Sequence, residues 1–376
     1  MYWRLSGFYF FYFASLGALV PYWGLYLQAQ GFDVVAIGEL VAIIMATKIV
    51  APNIWGWIAD HWGRRMQIVR LASLLAALVF VGVFAVHGYW AMALVMTGFS
   101  FFWNAALPQF EANTLNHLGA ETHRYSSIRL WGSIGFIITV AALGALFEHA
   151  GTGWLPRVLL GLFAAIWLST LLVPEKAVGH LPQEHLSLRA VLQQPVVIAV
   201  LLVCFLVQAS HGPYYTFYSI YMSDHGYSET LIGQLWALGV VAEIGVFLKM
   251  RRWLPRYGAR RLLLAAAALT ALRWALLAGF VDDLWIMVLA QTLHAASFGL
   301  YHAVSIHLFH RLFRGRLQGR GQALYSSVSF GAGGAVGSVA AGYLWQGLGA
   351  QWMYLAGAAV ALLAVAVAWW GVRGVD

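Results

Sequence analysis

Six ionisable residues, Lys48, Glu111, Arg129, Glu243, Arg273 and His294, stand inside long apolar runs of this chain. A carboxylate takes up and releases a proton, a guanidinium holds a carboxylate or several hydroxyls, and an imidazole passes a proton between partners. An unpaired charge at bilayer depth costs at least about 2.5–3.5 kcal/mol on insertion scales, so such side chains face a protein interior or a watery cavity and are the first candidates for function. The chemistry they offer is solute binding and proton exchange rather than bond making. The thirteen histidines are scattered and no HExxH-like ligand pair occurs, so no metal and no cofactor beyond a coupling proton is expected, and the chain does not read as an enzyme.

Spacing groups these residues. Asn104, Pro108 and Glu111 recur at offsets of 0, 4 and 7, which places them on one helical face. Arg129 and Trp131 open the next run, with Gly132 permitting close packing; the guanidinium suits either Glu111 or an anionic or hydroxyl-rich substrate, and a buried pair that only fixes packing is the alternative. Gln208, His211, Tyr215, Tyr218 and Met222 form a polar and aromatic stripe that reads as a packing face or a cavity wall. His294, Ser297 and Tyr301 share another face. Glu243 is the preferred proton carrier, because burial favours a neutral carboxyl, and a nearby Arg273 or a bound anion would change that preference. Lys48 pairs with a carboxylate or snorkels in a structural role. Gly331, Gly333, Gly334 and Gly337 would let helices approach closely.

The elements that position these groups are membrane spans. Of 376 residues 61% are hydrophobic and 10% charged, which no soluble domain of this size shows. Twelve apolar runs fall at about 5–28, 35–58, 67–87, 89–113, 128–149, 155–174, 195–222, 230–250, 260–280, 284–308, 320–346 and 349–372. The first lacks a cleavage site followed by a polar sequence and reads as a retained span. A net charge of +8 could suggest nucleic acid, but Arg64, Arg65, Arg70, Arg251, Arg252, Arg256, Arg260, Arg261, Arg311, Arg314, Arg316 and Arg320 fall on one side if the spans alternate. The other side holds Arg157, Asp224, Glu229, Asp282 and Asp283. By the positive-inside rule both termini are cytoplasmic and no nucleic acid is bound. The single cysteine, Cys204, has no intrachain partner.

The longest polar interruption, containing Glu175, Lys176, His180, Glu184, His185 and Arg189, divides six spans from six. It sets an N-terminal bundle at 1–174, a linker at 175–194 and a C-terminal bundle at 195–376, with His185–Gln194 as a candidate surface helix. A repeat supports two halves: Gly63-Arg64-Arg65 after span two, and Gly258-Ala259-Arg260-Arg261 after span eight.

Gly56, Asp60, Gly63, Arg64 and Arg65 resemble the loop signature of the major facilitator superfamily. That resemblance implies an all-α integral membrane protein of twelve helices in two pseudo-symmetric bundles, with Asp60 and Arg64 in gating. The segments 128–133, 210–215 and 235–243 resemble the phenylpropionate permease family, thought to import aromatic carboxylates such as 3-phenylpropionate with protons. Glu111 with Arg129, and Glu243, Arg273 and His294, resemble the sugar-binding and proton-coupling residues of the more distant lactose permeases. There the histidine is followed three residues on by a proton-carrying glutamate, where this chain has Ser297. The resemblance implies proton-coupled uptake of an aromatic carboxylate by alternating access, functioning as a monomer in the bacterial inner membrane. A lactose-like sugar or efflux of apolar compounds are the alternatives. Substrate contacts would come from Asn104, Glu111, Arg129, Trp131, Gln208, His211, Tyr215, Arg273 and His294, and proton coupling from Glu243 and His294.

Overall fold

The computed structural model describes residues 1–119, 121–176, 188–315 and 317–374, and every regular element among them is helical. Six long helices come first: α1 (Tyr2–Ala29), α2 (Val34–Trp62), α3 (Arg65–Phe80), α4 (Tyr89–Leu118), α5 (Tyr125–Ala150) and α6 (Leu155–Leu171). A short α7 (Leu188–Leu192) leads into span seven, made of α8 (Pro195–Ser210) and α9 (Gly212–Asp224). Spans eight and nine are α10 (Glu229–Tyr257) and α11 (Ala259–Gly279). Span ten is α12 (Leu284–Thr292), a π-helical turn (Ala295–Leu300) and α13 (Tyr301–Leu312). Span eleven is α14 (Leu317–Ser326), a second π turn (Ser327–Gly333) and α15 (Gly334–Leu348), and α16 (Ala350–Gly371) closes the chain.

Eleven helical stretches among the described residues are long and apolar enough to cross a membrane. The twelfth, span eleven, is not among them, because its glycines and serines lower its hydropathy. Exposed tryptophans sit where helices begin or end: Trp90, Trp154, Trp285 and Trp352 near starts, Trp62, Trp369 and Trp370 at ends. That is where an indole gains from a boundary between hydrocarbon and water.

Local chemistry sets the ends. Asp33 Oδ1 accepts from the Ala36 amide at 2.8 Å and starts α2; Asp283 Oδ1 accepts from Trp285 and Ile286 and starts α12. The two repeat glycines end helices of 29 residues each, α2 at Gly63 (φ 64°) and α10 at Gly258 (φ 75°), in a backbone conformation that L side chains rarely adopt. One boundary is corrected. Span eight continues to Tyr257 rather than 250, so Arg251, Arg252 and Arg256 ride on the helix, because polarity ended the apolar run while these side chains still favour helix.

The chain forms two compact units, Met1–Leu181 with Ser228–Ala237, and Pro182–Tyr227 with Leu238–Asp376. In the first, α1 packs along α5 and α3 along α4. The start of the polar linker is strapped down there: Glu175 Oε2 accepts from the Met66 amide at 2.7 Å, Arg70 donates to the Val173 carbonyl, and Asn113 bonds both the Pro174 carbonyl and the Lys176 amide. Residues 177–187, with His180, Glu184 and His185, lie outside the described residues, and of the surface helix expected over 185–194 the described part is helical at Leu188–Leu192. In the second unit α8, α11 and α16 enclose an aliphatic core with Val203, Leu263, Ala266 and Ala364 fully buried.

Candidate functional site

Four helices of the second unit converge on Arg273. It is completely buried, a position a guanidinium tolerates only with its donors and charge satisfied. Nη1 donates to His294 Nδ1 at 2.8 Å and to Ser297 Oγ at 3.0 Å, and Nη2 donates to Gln291 Oε1 at 3.1 Å. The Tyr214 and Trp274 rings lie 4.1 and 4.7 Å from the guanidinium carbon, a cation–π setting on both. Tyr214 also donates to Gln291 Oε1 at 3.1 Å.

His294 connects this arginine to Glu243. Arginine has no acceptor, so His294 Nδ1 must be the unprotonated nitrogen of the ring and the proton sits on Nε2. Nε2 lies 2.7 Å from Glu243 Oε1. The neutral imidazole therefore joins carboxylate and guanidinium through its two nitrogens. Backbone packing makes room for the pair: a β-carbon on Gly239 would lie 3.1 Å from His294 Cδ2, and one on Gly299 would lie 3.2 Å from Glu243 Cγ. Gly239 and Glu243 are four apart on α10, an α-helical turn; His294 and Gly299 are five apart across the π turn.

Span seven breaks beside this network. His211 is the last residue before α9 and Pro213 cannot supply the amide that would continue the ladder. The chain passes so close to α15 there that a β-carbon on Gly212 would collide with Gly337 backbone, and one on Gly337 with the Ala209 carbonyl. His211 is fully buried, its Nδ1–H donating to the Val207 carbonyl at 2.7 Å. Its Nε2, together with Gln208 Nε2, Gln291 Nε2 and Arg273 Nε, has no hydrogen-bond partner among the described residues. These polar atoms form a set that a polar solute or water can satisfy. Tyr215 stacks on His211 at 5.7 Å, and Tyr218 and Met222 are buried further along α9.

The first unit is built differently. Glu111 on α4 accepts from Tyr125 at 2.9 Å, and Arg129 lies with its guanidinium carbon 3.6 Å from the centre of the Phe13 ring. Gly132 clears the space: a β-carbon there would lie 2.7 Å from Arg129 Nη1. No ion pair joins Arg129 to Glu111 within 4 Å among the described residues, so of the partners left open for this guanidinium the direct contact with Glu111 is not made. Both side chains are only partly buried. Around them stand aromatic rings of α1, α4 and α5, including Phe8 stacked on Phe110 at 3.7 Å and Tyr12 on Trp103 at 5.0 Å. Trp131 donates to Tyr2 at 3.0 Å. Asn104 is not brought to this group: its amide donates to the Ile44 carbonyl and Thr47 hydroxyl, tying α4 to α2. Lys48 on α2 has no ion-pair partner among the described residues.

Residues 2–356 match the profile of the MFS_1 like family. The chain belongs to that family. Among curated relatives, a probable 3-phenylpropionic acid transporter of Escherichia coli (strain K12) is 32% identical over 360 residues, covering 91% of this chain and 90% of that one. A maltose permease of Geobacillus stearothermophilus is 30% identical over 356 residues, covering 92% and 89%. The solved nucleoside transporter NupG superposes with a TM-score of 0.82 at 18% identity, covering 99% of each chain. A bacterial homolog of the human lysosomal transporter Spinster gives 0.76 at 15%, covering 100% of this chain and 96% of that one. The likeness to these two structures is one of fold. This MFS_1 like protein is an integral membrane transporter of a small molecule, and its relatives are transporters, not enzymes.

In this family member the two arginines of the loop after α2 have different surroundings. Arg65 Nη1 donates to Gln109 Oε1 at 2.7 Å, whereas Arg64 is exposed at the start of α3. The side chain of Asp60 lies outside the described residues. Sequence reasoning also passed over Tyr214, Trp274, Gln291 and the role of Ser297. Tyr214 stands one residue from Tyr215, and its ring meets Arg273. Tyr301, placed with His294 and Ser297 by α-helical spacing, instead bonds the Cys204 carbonyl and Ser329, because the π turn changes the phase.

Proposed function

We propose that this transporter takes up a small aromatic carboxylate such as 3-phenylpropionate together with a proton, by alternating access, with bundles 1–174 and 195–376 joined by 175–194 as its moving parts. The observation that carries the reading is the state of the two arginines. Arg273 has both terminal nitrogens committed and rings on its faces, leaving Nε alone for a ligand. Arg129 lies partly exposed on an aromatic ring with no acid paired to it, inside a wall of phenyl, phenol and indole groups. A carboxylate takes the guanidinium and an aryl group takes the wall.

Glu243 carries the proton and His294 reports its state to Arg273, Gln291 and the break at His211. When Glu243 is protonated, the anionic partner of the imidazole Nε2–H disappears, and the hold on Arg273 through Nδ1 weakens with it. Gln208, His211 and Tyr215 line the solute path in the second unit; Asp60, Arg64 and Arg65 act in gating. The chain works as a monomer in the bacterial inner membrane with both termini in the cytoplasm, a placement supported by its one-sided arginines.

Uptake of a sugar is the second reading, favoured by the maltose permease relative and by Glu111, whose carboxylate can accept from hydroxyls while Trp131 stacks on a ring. Efflux of apolar compounds would leave Arg129 without a role. Proteoliposomes under an imposed proton gradient, offered 3-phenylpropionate or maltose, decide among these. Accumulation of the acid that collapses with a protonophore is the expected result; accumulation of the disaccharide alone overturns the substrate assignment, and accumulation that ignores the gradient overturns the coupling.

A further inference from the structure

Of the six ionisable residues inside the spans, Lys48 alone meets no partner: no hydrogen bond, ion pair or ring contact reaches it among the described residues. It stands midway along α2, about 21 Å from either end, further than its four-carbon stem extends, so its ammonium does not snorkel to a boundary. Each residue turns the helix by about 100°, and Val50, Ile54 and Trp57, all exposed, mark one side of α2. Lys48 lies about 160° round from Val50, on the side of Val41, Trp55 and Ala59, which are buried. It is itself only partly exposed. The carboxylates on this helix are out of reach, Glu39 nine residues before it and Asp60 twelve after, about 14 and 18 Å along the axis. Glu111 accepts from Tyr125, and the polar groups beside Lys48 serve each other: Thr47 Oγ1 bonds Ser100 and accepts from Asn104, both at 2.9 Å.

We propose, resting on the reading of the solute as an aromatic acid, that Lys48 is a solute-binding residue: its ammonium pairs with the carboxylate of the carried acid and so favours acids over neutral molecules of the same shape. A cation kept at bilayer depth on the inward side of a span, with no protein anion beside it, obtains its counter-charge from what the protein carries. A carboxylate has about four lone-pair sites, so holding one cation leaves acceptors for another. The two cations of this unit also differ in kind. The guanidinium of Arg129 fixes the plane of a carboxylate, whereas an ammonium is a compact charge with three donors that needs no matched geometry. Lys48 therefore contributes charge preference rather than shape. A neutral alcohol of the same outline leaves that charge uncompensated.

The chain has three lysines, and the other two, Lys176 and Lys249, are exposed and serve as internal controls. Purified full-length protein is acetylated with a small anhydride in the presence of 3-phenylpropionate, of 3-phenylpropan-1-ol or of neither, and modification of each lysine is read by peptide mass spectrometry. Saturating acid should slow acetylation of Lys48 by about tenfold or more, with Lys176 and Lys249 unchanged and little effect of the alcohol. In proteoliposomes the preference for acid over alcohol as competitor should fall about tenfold in Lys48→Gln and be largely kept in Lys48→Arg. A parent that accumulates the acid while Lys48 reacts equally fast with and without it overturns the role of Lys48 alone. Protection by the alcohol equal to that by the acid, or a preference unchanged in Lys48→Gln, overturns charge recognition. A parent that neither binds nor accumulates the acid overturns the substrate reading, and this pairing with it.

Discussion

Arg129 and Arg273 are the same side chain in two units of one protein, each within a bundle that also carries a glutamate, and their surroundings differ in kind. Around Arg273 the protein has spent a histidine, a serine, a glutamine and two rings, and its glutamate is reached through the histidine. Around Arg129 it supplies the Phe13 ring, the more distant Tyr9 ring and a glycine that makes room, and Glu111 bonds Tyr125. A buried cation whose donors are satisfied is part of the scaffold, and moving it has consequences for everything bonded to it. A partly exposed cation with no acid in ion-pair contact keeps part of its electrostatic attraction for something that comes and goes. The contrast separates a relay from a receptor.

Substituting the two arginines is the strongest way to break this contrast. Arg273→Gln strands His294 Nδ1 and leaves Glu243 without its distant cation, and should cost about 3–5 kcal/mol of stability, seen as a large fall in unfolding midpoint and in yield. Uptake is lost with it. If the midpoint hardly moves, Arg273 is not scaffold. Next in size is Glu243→Gln, which preserves an oxygen for His294 Nε2–H but removes the titrating charge; accumulation driven by a proton gradient should vanish while substrate exchange at equilibrium continues. Active accumulation unchanged from the parent would assign the proton to another group. Arg129→Gln should weaken apparent affinity for the carboxylate by about 10- to 100-fold with an unfolding midpoint close to the parent's, since the charge-assisted bonds it removes are made to substrate. The smallest effect sharpens the boundary of the receptor: Asn104→Ala removes two bonds between α4 and α2 and should cost about 1–2 kcal/mol in stability with little change in apparent affinity. An affinity loss as large as that of Arg129→Gln would return Asn104 to the substrate contacts.

The helices and the ionisable residues were legible because both are statements about polarity: twenty apolar residues in a row, and a charge where none should be. Grouping Glu243, Arg273 and His294 came from resemblance, and the hydrogen bonds join the three side chains in the order Glu243, His294, Arg273. What could not be read depends on departures from uniform helix. Placing Tyr301 as a neighbour of Ser297 assumed 3.6 residues per turn through a π turn. Arg64 and Arg65 are equal in composition, and only the direction in which α3 leaves Gly63 decides that Arg65 meets Gln109. Likewise, the spacing of Glu111 and Arg129 permits an ion pair, while Phe13 and Tyr125, distant in sequence from one or the other, compete for them and win.

The π turn of span ten also works as a mechanical setting. Between His294 and Gly299 the helix holds one residue more than an α-helical path of that rise needs, and each residue turns a helix by about 100°. A single deletion within Ala295–Leu300 would thus act as a rotary adjustment, swinging His294 off Glu243 or else turning the histidines and arginines of α13 around the axis, with no change in any side chain. Relatives that differ by one residue here would have their relay and their basic end clocked against each other differently.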